Sequence, residues 1–312
     1  MKKLLSLLLI LLLLAGCTTA APVATESIAA PTEATVSLLP QQTDTSTQPP
    51  LEGLAVHFID VGQGDCALIE CDGEFAIIDA GYPERSDKVL EYLEEQNVDE
   101  ISLMVATHPH GDHIGGLPAV LDAYPVETVW SSEIPYSNDY TRTFQNGVAS
   151  QRIPLTVPEI GEVFELGDAT ITRIGPVHMD YDDVNNISLV LMVQYGDMRF
   201  LFTGDMERDA ETELLDSGAD VKADVLKVGH HGSYTSTSYR FLYEVDPTYA
   251  VICVGGNNDY GHPHDEPMSR LRDADVTIYR TDKMYDIVAV TDGEDIQFSW
   301  DNRFAKPWTP AA

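Results

Sequence analysis

The residues best suited to chemistry lie in one short segment, THPHGDHIGG, at residues 107–116. Three of the chain's nine histidines fall within it, next to one carboxylate. Neutral imidazoles and carboxylates are the ligands that zinc and similar divalent ions prefer, whereas burying such groups without a partner is costly. The segment therefore predicts a metal site whose candidate ligands are His108, His110, Asp112 and His113.

The spacing within this segment also suits a metal site. Residues two apart point to the same side of an extended backbone, so His108 and His110 share a direction. Gly111 then permits a sharp turn before Asp112 and His113. The pattern is typical of a loop that joins a strand to a helix.

The elements that would position this loop are short β-rich runs that alternate with helical patterns. Ile101–Ala106 is an apolar run typical of a strand buried on both faces, and the loop begins where it ends. Asp72-Gly73 predicts a hairpin turn between two further strands. Helical spacing follows at 86–96, with Ser86 as the expected N-cap, and again at 114–123.

The rest of the chain continues this alternation without repeats. Residues 136–152 are polar and weakly patterned, so we expect an irregular surface segment there. The alternation predicts an α/β layered fold with a single domain at residues 53–302 and a tail at 303–312. Further strand and helix patterns lie at residues 170–174, 188–194, 199–203, 210–217, 225–228, 249–254 and 268–275.

The first 52 residues carry a targeting signal. Lys2 and Lys3 precede an apolar run from Leu4 to Leu14, which is too short to span a bilayer and typical of a secretory signal peptide. The Leu-Ala-Gly-Cys ending resembles a bacterial lipobox, which implies a signal peptide at 1–16 and a lipid on Cys17; an ordinary signal peptide is the alternative. Residues 17–52 suit a flexible linker. We expect anchoring at the extracellular face of the bacterial membrane.

The net charge and the cysteine content indicate which kinds of substrate and bond to expect. The chain carries 18 Lys and Arg against 51 Asp and Glu, a formal net charge of −33. Such a charge opposes approach to polyanions, which disfavours tight nucleic-acid binding and favours a smaller or zwitterionic substrate. Besides Cys17, the cysteines are Cys66, Cys71 and Cys253, and we expect buried thiols rather than a disulfide framework. No pattern indicates a protein partner.

The opening segment resembles the hallmark motif of the metallo-β-lactamase fold superfamily. The resemblance implies a four-layer αββα fold that holds one or two divalent ions, zinc in the first place and manganese as the alternative. In that superfamily the first two histidines serve one ion and the Asp-His pair a second. This implies His108 and His110 at the first ion, and Asp112 and His113 at the second.

The same resemblance implies further ligands. Asp205, which ends an apolar strand pattern, matches the aspartate that bridges both ions. The His230-His231 pair matches the last histidine motif, where we prefer His230 as the ligand and His231 as the alternative that lines the substrate pocket. Asp79 matches an early aspartate that supports the ligands through hydrogen bonds.

One position departs from the superfamily. In the place of the third histidine of the first ion, this chain has Asn185-Asn186. Asparagine is a weak neutral ligand, so we give Asn186 only a supporting position, and His178 is an alternative histidine. We therefore expect the first ion to be loosely held and the second site to be the better founded.

The Asn185-Asn186 pair also points to one group of proteins within the superfamily. Together with the opening segment, four further motifs look like the hydrolase domain of ComEC-type DNA-uptake competence proteins, over roughly residues 53–300. We expect a freestanding, lipid-anchored version, so a role in DNA uptake does not transfer automatically. The motifs are HFIDVGQGD at 57–65, NNISLVL at 185–191, HHGS at 230–233 and YGHP at 260–263.

The expected activity is hydrolysis of a phosphodiester by a metal-activated water. A bound divalent ion lowers the pKa of its water towards neutrality. Asp112 or Asp205 would orient that water or accept its proton. His231, Ser233 or His262 would stabilise charge or protonate the leaving group.

Several alternatives stay open. Asp65 either shapes the floor of the site or forms a plain turn, and we expect His57 and His264 to be structural. The chain is alternatively a non-catalytic surface lipoprotein, or an accessory binding protein in DNA uptake. Related folds also cleave lactones and lactams, although the missing third histidine disfavours a β-lactamase.

Overall fold

The computed structural model describes residues 53–133 and 138–301. The predicted signal peptide, the lipid on Cys17, the linker at 17–52 and the tail at 303–312 lie outside these ranges. Within them, no helix has the length and hydropathy needed to cross a bilayer.

Strands and helices alternate along most of the described chain. The strands are β1 (Leu54–Phe58), β2 (Ala67–Cys71), β3 (Glu74–Ile78), β4 (Ile101–Ala106), β5 (Val126–Ser131), β6 (Leu155–Thr156), β7 (Val163–Leu166), β8 (Ala169–Gly175), β9 (Val190–Tyr195), β10 (Met198–Phe202), β11 (Val225–Lys227), β12 (Tyr249–Ile252), β13 (Thr277–Arg280), β14 (Asp286–Thr291) and β15 (Ile296–Asp301). The α-helices are α1 (Ser86–Glu95), α2 (Gly111–Ile114), α3 (Leu117–Ala123), α4 (Asp139–Gln151), α5 (Arg208–Asp216), α6 (Tyr239–Val245), α7 (Asp265–Asp273) and α8 (Thr281–Met284).

The strands form two mixed sheets. The first has the order β15-β14-β1-β2-β3-β4-β5-β6, and the second has the order β13-β12-β11-β10-β9-β8-β7. The strands from β3 to β6 pair in parallel in the first sheet, and those from β10 to β13 pair in parallel in the second. Parallel neighbours leave their carboxyl ends at one edge, so each sheet presents several loops together there.

The two sheets pack face to face over an apolar core. Alternate residues of β1, Leu54, Val56 and Phe58, belong to the same buried cluster as Phe200 and Phe202 of β10. The Phe58 and Phe202 rings stack at 5.8 Å between centroids. The opposite face of the first sheet packs on α1, α3 and α4, and that of the second on α5, α6 and α7. This confirms the predicted four-layer αββα arrangement.

The structure corrects the prediction for residues 136–152, which is wrong for most of that segment. Instead of an irregular segment, α4 occupies Asp139–Gln151. Asn138 and Thr141 form a capping box at its start, and Thr141, Phe144 and Val148 bury one face. Their spacing is helical, but the Thr, Asn and Gly residues between them have low helix propensity and obscure the pattern.

Other local predictions are confirmed or refined. Asp72-Gly73 forms the turn of the β2–β3 hairpin, and Cys66, Cys71 and Cys253 are buried free thiols. The helix expected at 114–123 is divided into α2 and α3. Ser86 does not cap α1, because it is the first helical residue and follows a short 3₁₀ helix.

His57 gives the fold a pH-dependent stability. The side chain is 4% exposed, its Nδ1 lies 2.8 Å from the Tyr92 hydroxyl, and its Nε2 has no hydrogen-bond partner. Burial lowers the pKa of His57 to about 4. The unfolded chain therefore binds one more proton at this residue between pH 6.5 and pH 4, so stability falls as the pH falls through that window.

We predict that His57 alone removes about 2 kcal/mol from the unfolding free energy between pH 7 and pH 5. Urea unfolding of wild type and His57→Asn at both pH values measures this contribution, because all other titrating groups are common to the two proteins. The pH-dependent loss should be smaller in the variant by that amount. Equal losses in the two proteins would contradict a neutral buried His57.

Candidate metal centre

The candidate site lies where loops from both sheets meet. The loop after β4 carries His108, His110, Asp112 and His113, the opening segment of the sequence. The loops after β10 and β11, which are parallel neighbours, carry Asp205 and the His230-His231 pair. Each of these loops follows an apolar strand that fixes its position in the core.

One group of side chains gathers around Asp205 Oδ1. This oxygen lies 3.2 Å from His113 Nε2 and 3.5 Å from His231 Nε2, and the two nitrogens lie 3.3 Å apart. Asp112 Oδ2 lies 3.4 Å from His231 Nε2. Two ligands on a tetrahedral ion with bonds of about 2.0–2.1 Å are separated by about 3.3 Å. The spacing of this second group therefore fits a divalent ion.

A first group gathers around the other oxygen of the same carboxylate. His108 Nε2 lies 3.7 Å from Asp205 Oδ2 and 3.1 Å from His110 Nδ1. These three ligand atoms form a compact set of their own. Asp205 therefore turns one carboxylate oxygen towards each group, the arrangement that a bridging ligand requires.

The electrostatics of Asp205 agree with a cation site. The residue is 1% exposed and its Oδ1 has no hydrogen-bond partner. Burial raises the pKa of this carboxyl, but the charges of His113, His231 and His230 outweigh burial and hold the pKa well below its usual range. A buried, ionised oxygen surrounded by imidazole nitrogens fits coordination to a cation, and the imidazole and carboxylate groups suit zinc or manganese.

Asp79 fixes the orientation of His113. Its carboxylate accepts hydrogen bonds from the Thr107 backbone N–H at 2.9 Å and the Thr107 hydroxyl at 2.6 Å, and lies 2.8 Å from His113 Nδ1. All three residues are buried. With Nδ1 held by Asp79, His113 directs Nε2 at Asp205, as a carboxylate behind a metal-binding histidine does.

Asp65 and Lys227 lie behind His231. Asp65 Oδ1 is 3.2 Å from His231 Nδ1, and its Oδ2 is 2.5 Å from Lys227 Nζ. Burial raises the pKa of Asp65, but Lys227 and His231 outweigh burial and lower it to about 2. Asp65 lies close enough to the second group to count among its possible ligands. Because it contacts the Nδ1 side of His231 and is paired with Lys227, we assign it a supporting position.

The structure places His231, rather than the preferred His230, beside His113. Both residues of the pair have left-handed backbone angles, with φ of 48° and 53°, which turn the two rings apart. His230 Nε2 lies 3.7 Å from Asp205 Oδ2, on the side of the first group, and its Nδ1 lies 3.1 Å from Glu207.

Neighbouring loops complete the surroundings of Asp205. Ser188 accepts a hydrogen bond from the Asp205 backbone N–H at 3.0 Å, and Asn186 Oδ1 accepts one from the Glu207 N–H at 2.9 Å. The Asn186 oxygen is thereby occupied by the backbone. Sequence analysis missed Glu207, Lys227 and Ser188, whose partners are distant in sequence.

The remaining candidates lie around the mouth of the site. The His262 ring is 5.4 Å from the His230 ring, and burial lowers the pKa of His262 to about 4. Ser233 Oγ lies 2.9 Å from the Thr235 hydroxyl. His264 accepts a hydrogen bond from the Tyr234 N–H. His178 instead pairs with Glu213 at 2.8 Å on the surface and joins neither group.

Two bacterial proteins are similar in sequence to most of this chain. ComE operon protein 3 of Bacillus subtilis is 29% identical over 246 residues, covering 73% of this chain and 32% of that protein. Recombination protein 2 of Haemophilus influenzae is 32% identical over 222 residues, covering 69% of this chain and 26% of that protein. This chain therefore spans a third or less of these two relatives.

The solved structures agree on the fold. The metallo-beta-lactamase fold protein YhfI from Bacillus subtilis matches with a TM-score of 0.52 and 11% identity, covering 79% of this chain and all of that chain. Residues 59–256 match the model of the metallo-beta-lactamase superfamily, which is more than half of the sequence. This chain therefore belongs to the metallo-β-lactamase superfamily.

Proposed function

We propose that this protein is a metal-dependent hydrolase of phosphodiesters, held at the outer face of the bacterial membrane by a lipid on Cys17. The observation that carries the proposal is Asp205, whose two buried oxygens face two separate ligand groups. If each group held a divalent ion, the pair would suit a phosphodiester, because it could stabilise both the attacking and the leaving oxygen. The similarity to competence proteins agrees with a nucleotide or related phosphodiester.

Divalent ions bound there supply Lewis acidity at the phosphoryl oxygens and acidify a coordinated water. The chain's own residues would accept the proton and orient the ligands. Asp112, whose Oδ2 lies 3.4 Å from His231 Nε2, borders the second group and can accept a proton from an attacking water. Asp79 holds the ring of His113 in place. The Cys253 carbonyl oxygen, 3.0 Å from His231 Nδ1, holds the ring of His231, with Asp65 close by at 3.2 Å.

His262 is positioned to donate a hydrogen bond. Its lowered pKa keeps the ring neutral at pH 7. Gln63 Nε2 lies 3.5 Å from His262 Nδ1, so the amide donates to Nδ1 and the ring proton resides on Nε2. That N–H can donate a hydrogen bond to a leaving oxygen and stabilise its developing negative charge, while the leaving oxygen takes its proton from water.

Charge limits the substrate. The chain has a net charge of −33, which repels long polyanions and raises the salt dependence of any contact with them. We therefore favour a short or zwitterionic phosphodiester over a long DNA strand.

A substrate panel tests this function. The full chain, loaded with Zn²⁺ or Mn²⁺, is assayed on bis-nitrophenyl phosphate, a phosphocholine ester, single-stranded DNA, a lactone and a β-lactam. We expect chelator-sensitive cleavage of the phosphodiesters, faster for the small esters than for DNA. Cleavage of the lactone or lactam alone, or tight binding of DNA without any cleavage, would refute the proposal.

A further inference from the structure

We propose that His230 is the third imidazole of the first group, in place of the histidine that Asn185-Asn186 replaces, and that Glu207 positions it. The inference rests on the proposed metal-dependent function. It reverses the expectation that the first ion is loosely held.

The distances place His230 on the first group's side of Asp205. His230 Nε2 and His108 Nε2 each lie 3.7 Å from Asp205 Oδ2. Ligand atoms on one tetrahedral ion are about 3.3 Å apart, so each nitrogen lies within a few tenths of an ångström of that separation from Asp205 Oδ2. In the structure His230 lies outside the compact set of His108, His110 and Asp205, so its ring must move towards the other two imidazoles when an ion binds. His231, in contrast, approaches the other oxygen, Oδ1, at 3.5 Å.

The backbone separates the two adjacent rings. Left-handed angles are uncommon outside glycine, yet His230 and His231 both adopt them, with φ of 48° and 53°. Such conformations persist where the surrounding structure enforces them, and they concentrate at functional sites. Here they send one imidazole to each oxygen of the same carboxylate.

Glu207 holds His230 from behind. Its Oε1 lies 3.1 Å from His230 Nδ1 and accepts a hydrogen bond from the Thr235 hydroxyl at 2.7 Å. With Nδ1 bonded to a carboxylate, the imidazole presents Nε2 to the site. The arrangement repeats the Asp79–His113 contact of the second group.

The Asn185-Asn186 segment supports Glu207. Asn186 Oδ1 accepts a hydrogen bond from the Glu207 backbone N–H at 2.9 Å. Both asparagines are buried. The segment that supplies a histidine elsewhere in the superfamily therefore holds Glu207 here, and Glu207 in turn orients His230.

Zinc titration of the metal-free full chain tests this assignment by calorimetry, without any activity assay. We expect wild type to bind two ions. His230→Asn should keep one at wild-type affinity and weaken the other at least about 100-fold, because a ligand is removed. Asparagine tolerates left-handed backbone angles, so the loop should keep its shape. Glu207→Ala should weaken the same ion about 10–100-fold.

His178→Asn is the matched control, because it removes an exposed imidazole that joins neither group. It should leave both affinities unchanged. Circular dichroism establishes that each variant is folded. If His230→Asn does not fold, the zinc affinities of Glu207→Ala test the assignment. Two ions at wild-type affinity in His230→Asn, or loss of both, would overturn the assignment even with phosphodiester cleavage intact in wild type. A wild type that binds no ion would also overturn the proposed function.

Discussion

Replacing Asp205 with asparagine should lower kcat/KM for phosphodiester cleavage by at least about 10³-fold and weaken binding of both ions. Asparagine keeps the size of the side chain but removes its charge and offers one oxygen instead of two. Because the two oxygens of Asp205 face different groups, a single substitution should affect both. The loss of several kcal/mol of charge stabilisation in the transition state corresponds to that factor.

Asp220→Asn is the matched control, because Asp220 pairs with Arg199 on the surface and is 73% exposed. It should leave kcat/KM and both zinc affinities within error, since exposed ion pairs contribute little. Steady-state kinetics and zinc calorimetry on both variants provide the comparison, and thermal melts establish that they are folded. If Asp205→Asn retained turnover, or lost only one ion, Asp205 would not bridge the two groups.

The clustering of the side chains in the opening segment was predictable because these candidate ligands are local. His108, His110, Asp112 and His113 lie within six residues, so strand geometry and one glycine suffice to bring them together. The strands were similarly predictable, because an apolar run such as β4 has few alternatives once it is buried on both faces. The layered fold follows from their alternation with helices.

The different positions of the His230 and His231 rings could not be predicted from the sequence. The two residues are adjacent, and sequence patterning cannot show which ring faces which oxygen of Asp205. Two successive left-handed conformations decide it, and these depend on Glu207 and on the loops that pack around them. Helix α4 was missed for a related reason, since its buried face forms only against neighbouring helices.

The burial of Lys227 and its pairing with Asp65 could not be predicted from the sequence around Lys227. In the sequence it is a single lysine at the end of an apolar strand, and its partner Asp65 lies in a loop of the other sheet. Only the packing of the two sheets brings them together. No periodicity within β11 indicates that the ammonium is buried rather than exposed.

Replacing Lys227 with methionine should destabilise the protein by about 3–5 kcal/mol, the cost of leaving one buried charge without its partner. Lys227 is 3% exposed and its Nζ lies 2.5 Å from Asp65 Oδ2. Methionine fills the same apolar volume, so the loss comes from the charge. Urea unfolding of metal-free protein measures it without the contribution of bound ions.

Lys222→Met is the matched control. Lys222 pairs with Asp246 at 3.3 Å, but both side chains are largely exposed. Removing this ammonium should cost at most about 1 kcal/mol, because water screens the remaining carboxylate. Equal losses in Lys222→Met and Lys227→Met would show that burial does not strengthen the Asp65–Lys227 pair.

The double variant Asp65→Asn/Lys227→Met separates stability from activity. It removes the isolated charge, so most of the stability lost in Lys227→Met should return, and the double-mutant cycle gives the coupling between the two residues. Activity should stay about 10-fold below wild type, because His231 Nδ1 loses the Asp65 carboxylate but keeps the Cys253 carbonyl oxygen at 3.0 Å. A double variant as unstable as Lys227→Met would place the cost in packing instead. Full activity in the double variant would show that Asp65 does not orient His231.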